Sequence, residues 1–427
     1  FEDNIAGLNG GAIDWQRGAN NGTLSYSNFT NNTAWRSGGA VYWYGNDGNI
    51  TWCRFEDNHA IGNVSEHNKG VATYTTNGGN GGAIIWTGAL GRVNYSNFVD
   101  NTAKNNGGAV YLTGSSDGLC ENTTFDNCYF GSNEAGLNGG AIDWYRGAFN
   151  GTITNSIFEN NIANRSGGAI HWSGYYGTVS NSNFTGNKAT GEVISDIGGV
   201  LGGGDGGAVI WVGSHGIIKD NCNFINNFAK YRGGAVFLHG NDTENCTNTT
   251  VTNCNFEDNV AGLNGGAIDW QHGTTYGNLT YSNFTNNTAW RSGGAVYWNG
   301  LYGDILYCIF DDNHAIGNVT AHDRPDVAVY SNEGGHGGAV IWTGSHGEVY
   351  YSNFVNNTAK NNGGAVYLQS GTYGECQNTT FDNCYFGENE AGLNGGAVDW
   401  FRGASLGKVL NSVFENNIAN RSGGAIH

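Results

Sequence analysis

Four aspartates occupy one place in a repeated phrase, G-G-A-[IV]-D-W: Asp14, Asp143, Asp269 and Asp399. Four arginines occupy one place in the copy of the phrase that follows each of them: Arg36, Arg165, Arg291 and Arg421. Carboxylates held close together can act as the acid and the base of sugar-chain hydrolysis. An active site is a single cluster, however, whereas these residues recur at equivalent positions along the repeat. The pattern therefore favours outward-facing aspartates that pair with arginines, each pair contributing about 0–1 kcal/mol, and we predict no enzyme activity and no catalytic residue.

Nine cysteines allow a second kind of chemistry. Three pairs, with eight residues from the first cysteine to the second, recur along the chain: Cys120 and Cys128, Cys246 and Cys254, and Cys376 and Cys384. We predict that each pair forms a disulfide in an oxidising, extracellular setting, contributing roughly 2–3 kcal/mol. Buried thiols are the alternative, as is pairing of Cys222 with Cys254. The pairing of Cys53, Cys222 and Cys308 stays open, and zinc is disfavoured because no C-x-x-C occurs.

Aromatic side chains could bind sugars. Ten of the thirteen tryptophans share the last position of G-G-A-[IV]-x-W: Trp15, Trp43, Trp86, Trp144, Trp172, Trp211, Trp270, Trp298, Trp342 and Trp400. They have the same strand parity as the Ile or Val before them, so we expect an internal stack rather than an exposed platform. Trp35, Trp52 and Trp290 lie off this series and are the candidate exposed aromatic contacts for glycans.

Three long inserts, at 60–81, 189–206 and 315–337, interrupt the repeat. Loops on a rigid scaffold are the usual place for function, and we expect these loops to contact a neighbouring molecule. Two of them carry or adjoin histidines: His59 and His67, and His314, His322 and His336. The middle insert has none, which argues against a shared metal site. We predict no metal and no cofactor.

The sequence contains about twenty N-x-[ST] sequons. Such sequons accept N-linked glycans on the surface of secreted proteins. Those expected in loops are the glycosylation candidates: Asn63, Asn122, Asn248, Asn318 and Asn378.

The candidate residues named above are positioned by a repeat that extends along the whole sequence. The motif F-x-x-N occurs fourteen times, each copy followed by Ala and then G-G-A-[IV]. Its phenylalanines are Phe1, Phe29, Phe55, Phe98, Phe130, Phe158, Phe184, Phe224, Phe256, Phe284, Phe310, Phe354, Phe386 and Phe414. Their spacings cycle every four copies, giving the blocks 1–129, 130–255, 256–385 and a partial 386–427.

Each copy reads as several short strands separated by corners. In "GGAIDW" the apolar Ile13 and Trp15 flank a residue that varies freely between copies, so we predict that the middle residue faces solvent. A unit of 26–28 residues is too short for a four-stranded propeller blade. The pattern predicts an all-β parallel β-solenoid of about 14 rungs, one continuous domain over 1–427, with the fourteen phenylalanines and the motif asparagines stacked in ladders.

Composition excludes several classes of function. With 18 basic and 36 acidic residues the net charge is −18, which makes nucleic acid an improbable partner. No apolar run approaches the roughly 18–20 residues that cross a bilayer, so we predict no membrane span in this segment. The chain shows no signal peptide and no initiator Met, and we expect it to be a mature piece of something longer.

The paired motifs G-G-A-[ILV] and F-x-x-N resemble those of the chlamydial polymorphic outer-membrane proteins, and segments such as "FTNNTAWRSGGAVYW" are similar to adhesin-like surface proteins of methanogenic archaea. The resemblance covers the whole chain. It implies a right-handed parallel β-helix on a cell surface, used for adhesion or envelope building. The many sequons fit the archaeal proteins better.

We therefore expect an extracellular, cell-surface structural protein, a segment of a fibre, sheath or adhesin stalk whose partners are copies of itself, joined end to end or laterally. A glycan-binding module or a carbohydrate-active enzyme on the same scaffold is the alternative. The sequence leaves the adhesion target open.

Overall fold

The computed structural model describes residues 1–62, 78–114, 119–145, 147–191, 203–240, 246–271, 273–317, 334–371 and 376–427. It divides into two compact units, Phe1–Gly213 (unit 1) and Ser214–His427 (unit 2). Each unit contains seven of the fourteen F-x-x-N motifs. Both units have the predicted fold class, the right-handed parallel β-helix, and the described residues contain no helix.

One turn of the solenoid has four short strands, which we name after their buried residue: the Phe, Ala, Trp and aliphatic strands. In unit 1 the Phe strands are Asn28–Thr30, Arg54–Glu56, Asn97–Val99, Tyr129–Gly131, Ile157–Glu159 and Asn183–Thr185. The Ala strands are Ile5–Ala6, Thr33–Ala34, His59–Ala60, Thr102–Ala103, Glu134–Ala135, Ile162–Ala163 and Lys188–Ala189. The Trp strands are Ile13–Trp15, Val41–Trp43, Ile84–Trp86, Val110–Leu112, Ile142–Trp144, Ile170–Trp172 and Val209–Trp211. The aliphatic strands are Thr23–Ser25, Asn49–Thr51, Arg92–Asn94, Thr124–Asp126, Thr152–Thr154 and Thr178–Ser180.

Unit 2 repeats these four series. Its Phe strands are Cys222–Ile225, Cys254–Glu257, Asn283–Thr285, Ile309–Asp311, Asn353–Val355, Tyr385–Gly387 and Val413–Glu415. Its Ala strands are Phe228–Ala229, Val260–Ala261, Thr288–Ala289, His314–Ala315, Thr358–Ala359, Glu390–Ala391 and Ile418–Ala419. Its Trp strands are Val236–Leu238, Ile268–Trp270, Val296–Trp298, Val340–Trp342, Val366–Leu368 and Val398–Trp400. Its aliphatic strands are Ile217–Lys219, Thr250–Thr252, Asn278–Thr280, Asp304–Leu306, Glu348–Tyr350, Thr380–Asp382 and Lys408–Leu410.

Three additional strand pairs accompany the four series. They are Cys120–Glu121 with Ala148–Phe149, Cys246–Thr247 with Thr274–Thr275, and Cys376–Gln377 with Ala404–Ser405.

Within each unit, strands of one series pair in parallel. Equivalent residues of the repeat are register partners in adjacent turns. Phe29 pairs with Phe55 and Trp43 with Trp86 in unit 1. Phe256 pairs with Phe284 in the same way in unit 2. The register follows from the sequence because a slip of one residue would turn every buried side chain outward.

The predicted phenylalanine ladder is confirmed in each unit. Seven phenylalanines, Phe1 to Phe184, stack in unit 1, and seven more, Phe224 to Phe414, stack in unit 2, with neighbouring ring centroids 4.6–4.9 Å apart. The predicted internal tryptophan stack is also confirmed, because the eight largest fully buried side chains are all tryptophans of this series. Both series therefore belong to the core.

Buried amides complete the interior. The Asn101 Nδ2 donates to Asn133 Oδ1 at 2.9 Å and to the carbonyl oxygen of Phe55 at 3.0 Å. The Asn101 Oδ1 in turn accepts from the Asn58 Nδ2 at 2.9 Å. Each buried amide is thus satisfied by the turns on either side, as the predicted asparagine ladder requires.

Glycine permits the closest contact between turns. A side chain on Gly39 would collide with the carbonyl oxygen of Gly82 in the following turn. The preceding Gly38 has a φ of 67°, a conformation that other residues rarely adopt. The pair G-G therefore fixes the approach to each Trp strand.

Candidate functional site

The outer face of the Trp strands in unit 1 forms the floor of a groove. Tyr42, Ile85 and Tyr111 are the middle residues of three adjacent Trp strands and are register partners. Because the residues that flank them point into the core, these three point outward.

The sequence predicts that such middle residues face solvent, and this is wrong for most of them. Tyr111 is only 7% exposed, and Asp143, on the next Trp strand, is fully buried. Around Tyr42, Ile85 and Tyr111, the loops before and after the Trp strands line the same cavity, so these middle residues lie at the bottom of a trough.

The groove has a volume of about 520 Å³. It is lined by Asn9, Arg36, Ser37, Tyr42, Tyr44, Asn80, Ile85, Thr87, Asn105, Asn106, Tyr111, Thr113, Gly114, Leu137, Asn138, Tyr145 and Arg165. Two of these residues are cationic, four are tyrosines, and none carries a carboxylate. The lining combines aromatic rings, amides and positive charge, a set suited to a polar ligand with apolar faces.

One wall is held by a ladder of amides. The Asn106 Nδ2 donates to Asn80 Oδ1 at 3.1 Å, and the Asn138 Nδ2 donates to Asn106 Oδ1 at 3.3 Å. These bonds run from turn to turn, so the wall is ordered by the same repeat that orders the core.

The tyrosines of the floor are neutral hydroxyls. Burial raises the pKa of Tyr42, and the nearby Tyr44 raises it further, while Arg36 opposes the shift. Burial also raises the pKa of Tyr111, and the Asp143 carboxylate adds to the shift. These groups can therefore donate or accept hydrogen bonds at neutral pH without carrying charge.

Asp143 does not form the predicted surface pair with an arginine. Its Oδ1 lies 2.8 Å from the His171 Nδ1 on the next Trp strand, while its buried Oδ2 has no hydrogen-bond partner among the described residues. Burial raises the pKa of Asp143, and His171 and Arg165 oppose the shift. In unit 2, Asp399 pairs likewise with His427 at 3.1 Å. The aspartate lies too deep to act as a surface charge.

The matching face of unit 2 carries Tyr297, Ile341 and Tyr367 in register. Here His336 takes the place of Asn80, each residue standing directly before a G-G-A motif. The His336 ring stacks on the Tyr367 ring with centroids 4.4 Å apart. Burial lowers the pKa of His336 to about 4, and Arg291 adds to the shift, so the ring is neutral at pH 7.

The predicted disulfides are wrong, because all nine cysteines are buried thiols. The Cys120 Sγ lies 3.8 Å from the Thr123 Oγ1, whereas the Cys128 Sγ lies 3.4 Å from the carbonyl oxygens of Val93 and Asp126. Along the chain the strand Thr124–Asp126 lies between the two cysteines, and each thiol has its own contacts.

The cysteines of the other two predicted pairs also have separate contacts. Cys246 and Cys376 lie against Thr249 and Thr379, while Cys254 and Cys384 contact carbonyl oxygens. The alternative that the sequence left open, buried thiols, is the one observed.

Cys222 and Cys254 are register partners on adjacent Phe strands. A hydrogen bond to Cys222 raises the pKa of Cys254 well above its usual value, and burial adds to the shift. Cys53 and Cys308 are likewise buried at the small inward position before the motif phenylalanine.

The glycosylation candidates divide into two groups. Asn122, Asn248 and Asn378 are exposed at corners, with φ values of 52–56°. Asn63 and Asn318 lie outside the described residues, and so do His67, His322 and most of each long insert. Glycosylation stays a prediction at all five positions.

The described histidines of the inserts have local partners. The His59 Nδ1 lies 2.7 Å from the Thr102 Oγ1, and the His314 Nδ1 lies 2.7 Å from the Thr358 Oγ1. In the part of the chain that the structure describes, no three His, Cys, Asp or Glu side chains converge on a common metal position. In that same part, no helix is long and apolar enough to span a bilayer.

Two of the three candidate aromatic contacts are exposed. Trp52 is 53% exposed and Trp290 is 38% exposed, whereas Trp35 is half-buried. Trp52 belongs to a column that sequence reasoning missed, because Tyr26 and Tyr95 stack on either side of it at 6.4 and 4.6 Å. The same column in unit 2 is formed by Tyr281, Tyr307 and Tyr351. The available signal was an aromatic three residues before the motif phenylalanine in three successive turns.

Among solved structures, the chain is similar to a mannuronic acid specific polysaccharide family 6 lyase from human gut microbiota, at 9% identity, 78% coverage of each chain and a TM-score of 0.38. It is also similar to PfbA, a surface adhesin of Streptococcus pneumoniae, at 14% identity, with 79% of this chain and 83% of that chain covered and a TM-score of 0.38. Likenesses this low carry no statement about ligand or activity. No curated protein matches the sequence.

Four segments match the repeat of the Chlamydia polymorphic membrane protein family: residues 95–113, 155–171, 351–369 and 411–427. Two of them lie in unit 1 and two in unit 2. Each contains a Phe strand, the Ala strand after it and the following G-G-A motif, the features on which the resemblance in the sequence rests. The chain is therefore a β-helix protein in which four segments are similar to the Chlamydia polymorphic membrane protein repeat.

Proposed function

We propose that the chain is a surface protein of the adhesin type, in which each β-helical unit acts as a stiff stalk. The observation that carries this proposal is the stacking of like side chains on like through seven successive phenylalanines in each unit. Close-packed ladders of this kind resist bending, because every turn is fixed by hydrogen bonds and ring contacts to its neighbours.

The Chlamydia polymorphic membrane protein repeats support a surface or outer-membrane location. An enzymatic role receives no comparable support, since the acidic residues Asp143 and Asp399 occur as equivalent pairs with histidine rather than as one cluster. Association with further copies of the chain, expected from the sequence, stays a prediction.

Surface labelling of intact cells that produce the protein tests the location. A membrane-impermeant amine-reactive biotin reagent should label the chain before lysis, through its exposed lysines. A cytosolic protein of the same cells serves as the control and should be labelled only after lysis. Labelling of the chain only after lysis would contradict the proposal.

A second role, glycan binding, is supported by a different observation: the tyrosines and asparagines that line the groove of unit 1. Sugars present both a hydroxyl rim and an apolar C–H face, which amides and aromatic rings can contact together.

A further inference from the structure

The groove of unit 1 is long in one direction. Its lining begins at Asn9, in the turn of Phe1, and reaches Arg165, in the turn of Phe158, so it crosses six turns. At about 4.8 Å between adjacent strands, six turns span about 24 Å. A ligand that filled the groove would be an extended chain lying across successive strands.

The lining repeats along this length. Two adjacent turns each supply an outward Trp-strand residue and an amide from the preceding loop, namely Ile85 with Asn80 and Tyr111 with Asn106. A ligand built of similar units, each with an apolar face and hydrogen-bonding edges, matches such a repeated surface. An oligosaccharide has this construction.

The charge of the groove is opposite to that of the chain. The whole chain carries a net charge of −18, yet the lining contains Arg36 and Arg165 and no carboxylate. Asp143, the register partner of Tyr111, is not part of the lining, and its Oδ1 lies 2.8 Å from the His171 Nδ1. Guanidinium groups bind carboxylates through charge-assisted hydrogen bonds.

We propose that the groove of unit 1 binds an extended carbohydrate chain that carries carboxylate groups, with Arg36 contacting a carboxylate and the tyrosines of the floor contacting sugar faces. This inference rests on the glycan-binding role given above and narrows it to acidic sugars.

The matching face of unit 2 provides an internal control. There the His336 ring lies on Tyr367, at the position where the groove of unit 1 has Asn80 and Tyr111. The ring occupies space that a ligand would need above the floor. Arg291 is the counterpart of Arg36 on that face. Among the described residues, we therefore assign such a site to unit 1 and not to the matching face of unit 2.

Isothermal titration calorimetry with the full chain tests the proposal, using hexagalacturonate and its fully methyl-esterified form. The two probes share one sugar chain and differ in carboxylate charge. We expect one site per chain for hexagalacturonate, with at least about tenfold weaker binding of the ester, because the lost charge-assisted bonds correspond to at least that factor.

Three variants locate the site. Arg36→Gln should weaken hexagalacturonate binding about tenfold or more while leaving the affinity for the ester nearly unchanged. Asn80→His, which copies the residue of unit 2, should weaken both probes, and unit 2 shows that the fold accepts this residue. Arg291→Gln should leave both affinities unchanged. Circular dichroism and thermal melting confirm that each variant is folded.

Different failures are distinguishable. Equal affinity for the two probes, with loss of both in Asn80→His, would overturn the acidic specificity and leave glycan binding intact. Binding of neither probe, or binding that Asn80→His leaves unchanged, would overturn the groove as the site. Competition by poly-glutamate as effective as by hexagalacturonate would show a general anion site and would also overturn the proposal.

Discussion

The two units share an interior and differ on one outer face. In both, seven phenylalanines stack and a buried asparagine ladder links the turns. On the outer face of the Trp strands, however, unit 1 has Asn80 in an open groove and unit 2 has His336 stacked on Tyr367.

The difference shows which positions the repeat constrains. An interior side chain must fit against its copies in the turns on both sides, so a change there disturbs two neighbours. A groove residue also contacts its copies in adjacent turns, but its other side borders the open groove, so a change there disturbs less of the surrounding packing. A duplicated solenoid can therefore diverge in function through its outer faces while its core stays fixed.

The largest expected effect comes from the shared interior. Phe98→Ala in unit 1 and its counterpart Phe354→Ala in unit 2 should each lower the free energy of unfolding by about 3–5 kcal/mol, because each leaves a cavity between two stacked rings. Urea denaturation followed by tryptophan fluorescence measures the loss. A difference of more than about 1 kcal/mol between the two variants would show that the interiors are not equivalent.

A smaller loss should follow removal of one ladder amide. Asn101→Ala, and its counterpart Asn357→Ala, should each lower the free energy of unfolding by about 2–3 kcal/mol, because buried hydrogen-bond partners on both adjacent turns are left unsatisfied. Asn97→Ala, at an exposed position of the same turn, is the control and should change the value by less than about 0.5 kcal/mol. A loss as small as that of the control in Asn101→Ala would refute the role of the ladder.

The outer faces should differ in their response to acid. Burial lowers the folded-state pKa of His336 to about 4, below its ordinary value of 6.5. The unfolded chain therefore binds the proton more tightly, and stability falls as the pH drops from 6.5 towards 4. We expect His336 to account for a loss of about 2 kcal/mol over this range, after allowance for its partial exposure.

His336→Asn, which places the residue of unit 1 in unit 2, isolates this contribution. Urea denaturation at several pH values should show that the variant loses less stability than the parent chain between pH 6.5 and 4, with no such difference above pH 7. Parallel pH profiles for the two proteins would mean that His336 is not buried as a neutral ring.

Much of the interior could be predicted from the sequence, because its signals are local and repeated. The parity of Ile13 and Trp15 predicted the inward tryptophans, and the spacing of F-x-x-N predicted the ladders of Phe and Asn. The buried position of Phe98 could be predicted because the same motif occurs at thirteen other places in the chain, each with phenylalanine at this position.

The groove could not be predicted in the same way, because its depth depends on loops. Strand parity shows that Asp143 points outward, but not that it is fully buried beside His171. The disulfide prediction failed for a related reason: the spacing of Cys120 and Cys128 does not show that each thiol has its own contacts.

The smallest expected effect concerns a surface that the two units share, the exposed aromatic column. Trp52 and its counterpart Tyr307 have φ values of 54° and 56°, a left-handed conformation that bulky residues disfavour and asparagine tolerates. Trp52→Asn and Tyr307→Asn should relieve this strain while losing ring stacking on Tyr95 and Tyr351. The two contributions oppose each other, so we expect a change in unfolding free energy below about 1 kcal/mol in both units. Trp52→Ala, which removes the stacking and keeps the strain of an ordinary side chain at positive φ, should destabilise more than Trp52→Asn, and the reverse order in urea denaturation would show that asparagine relieves no strain at this corner.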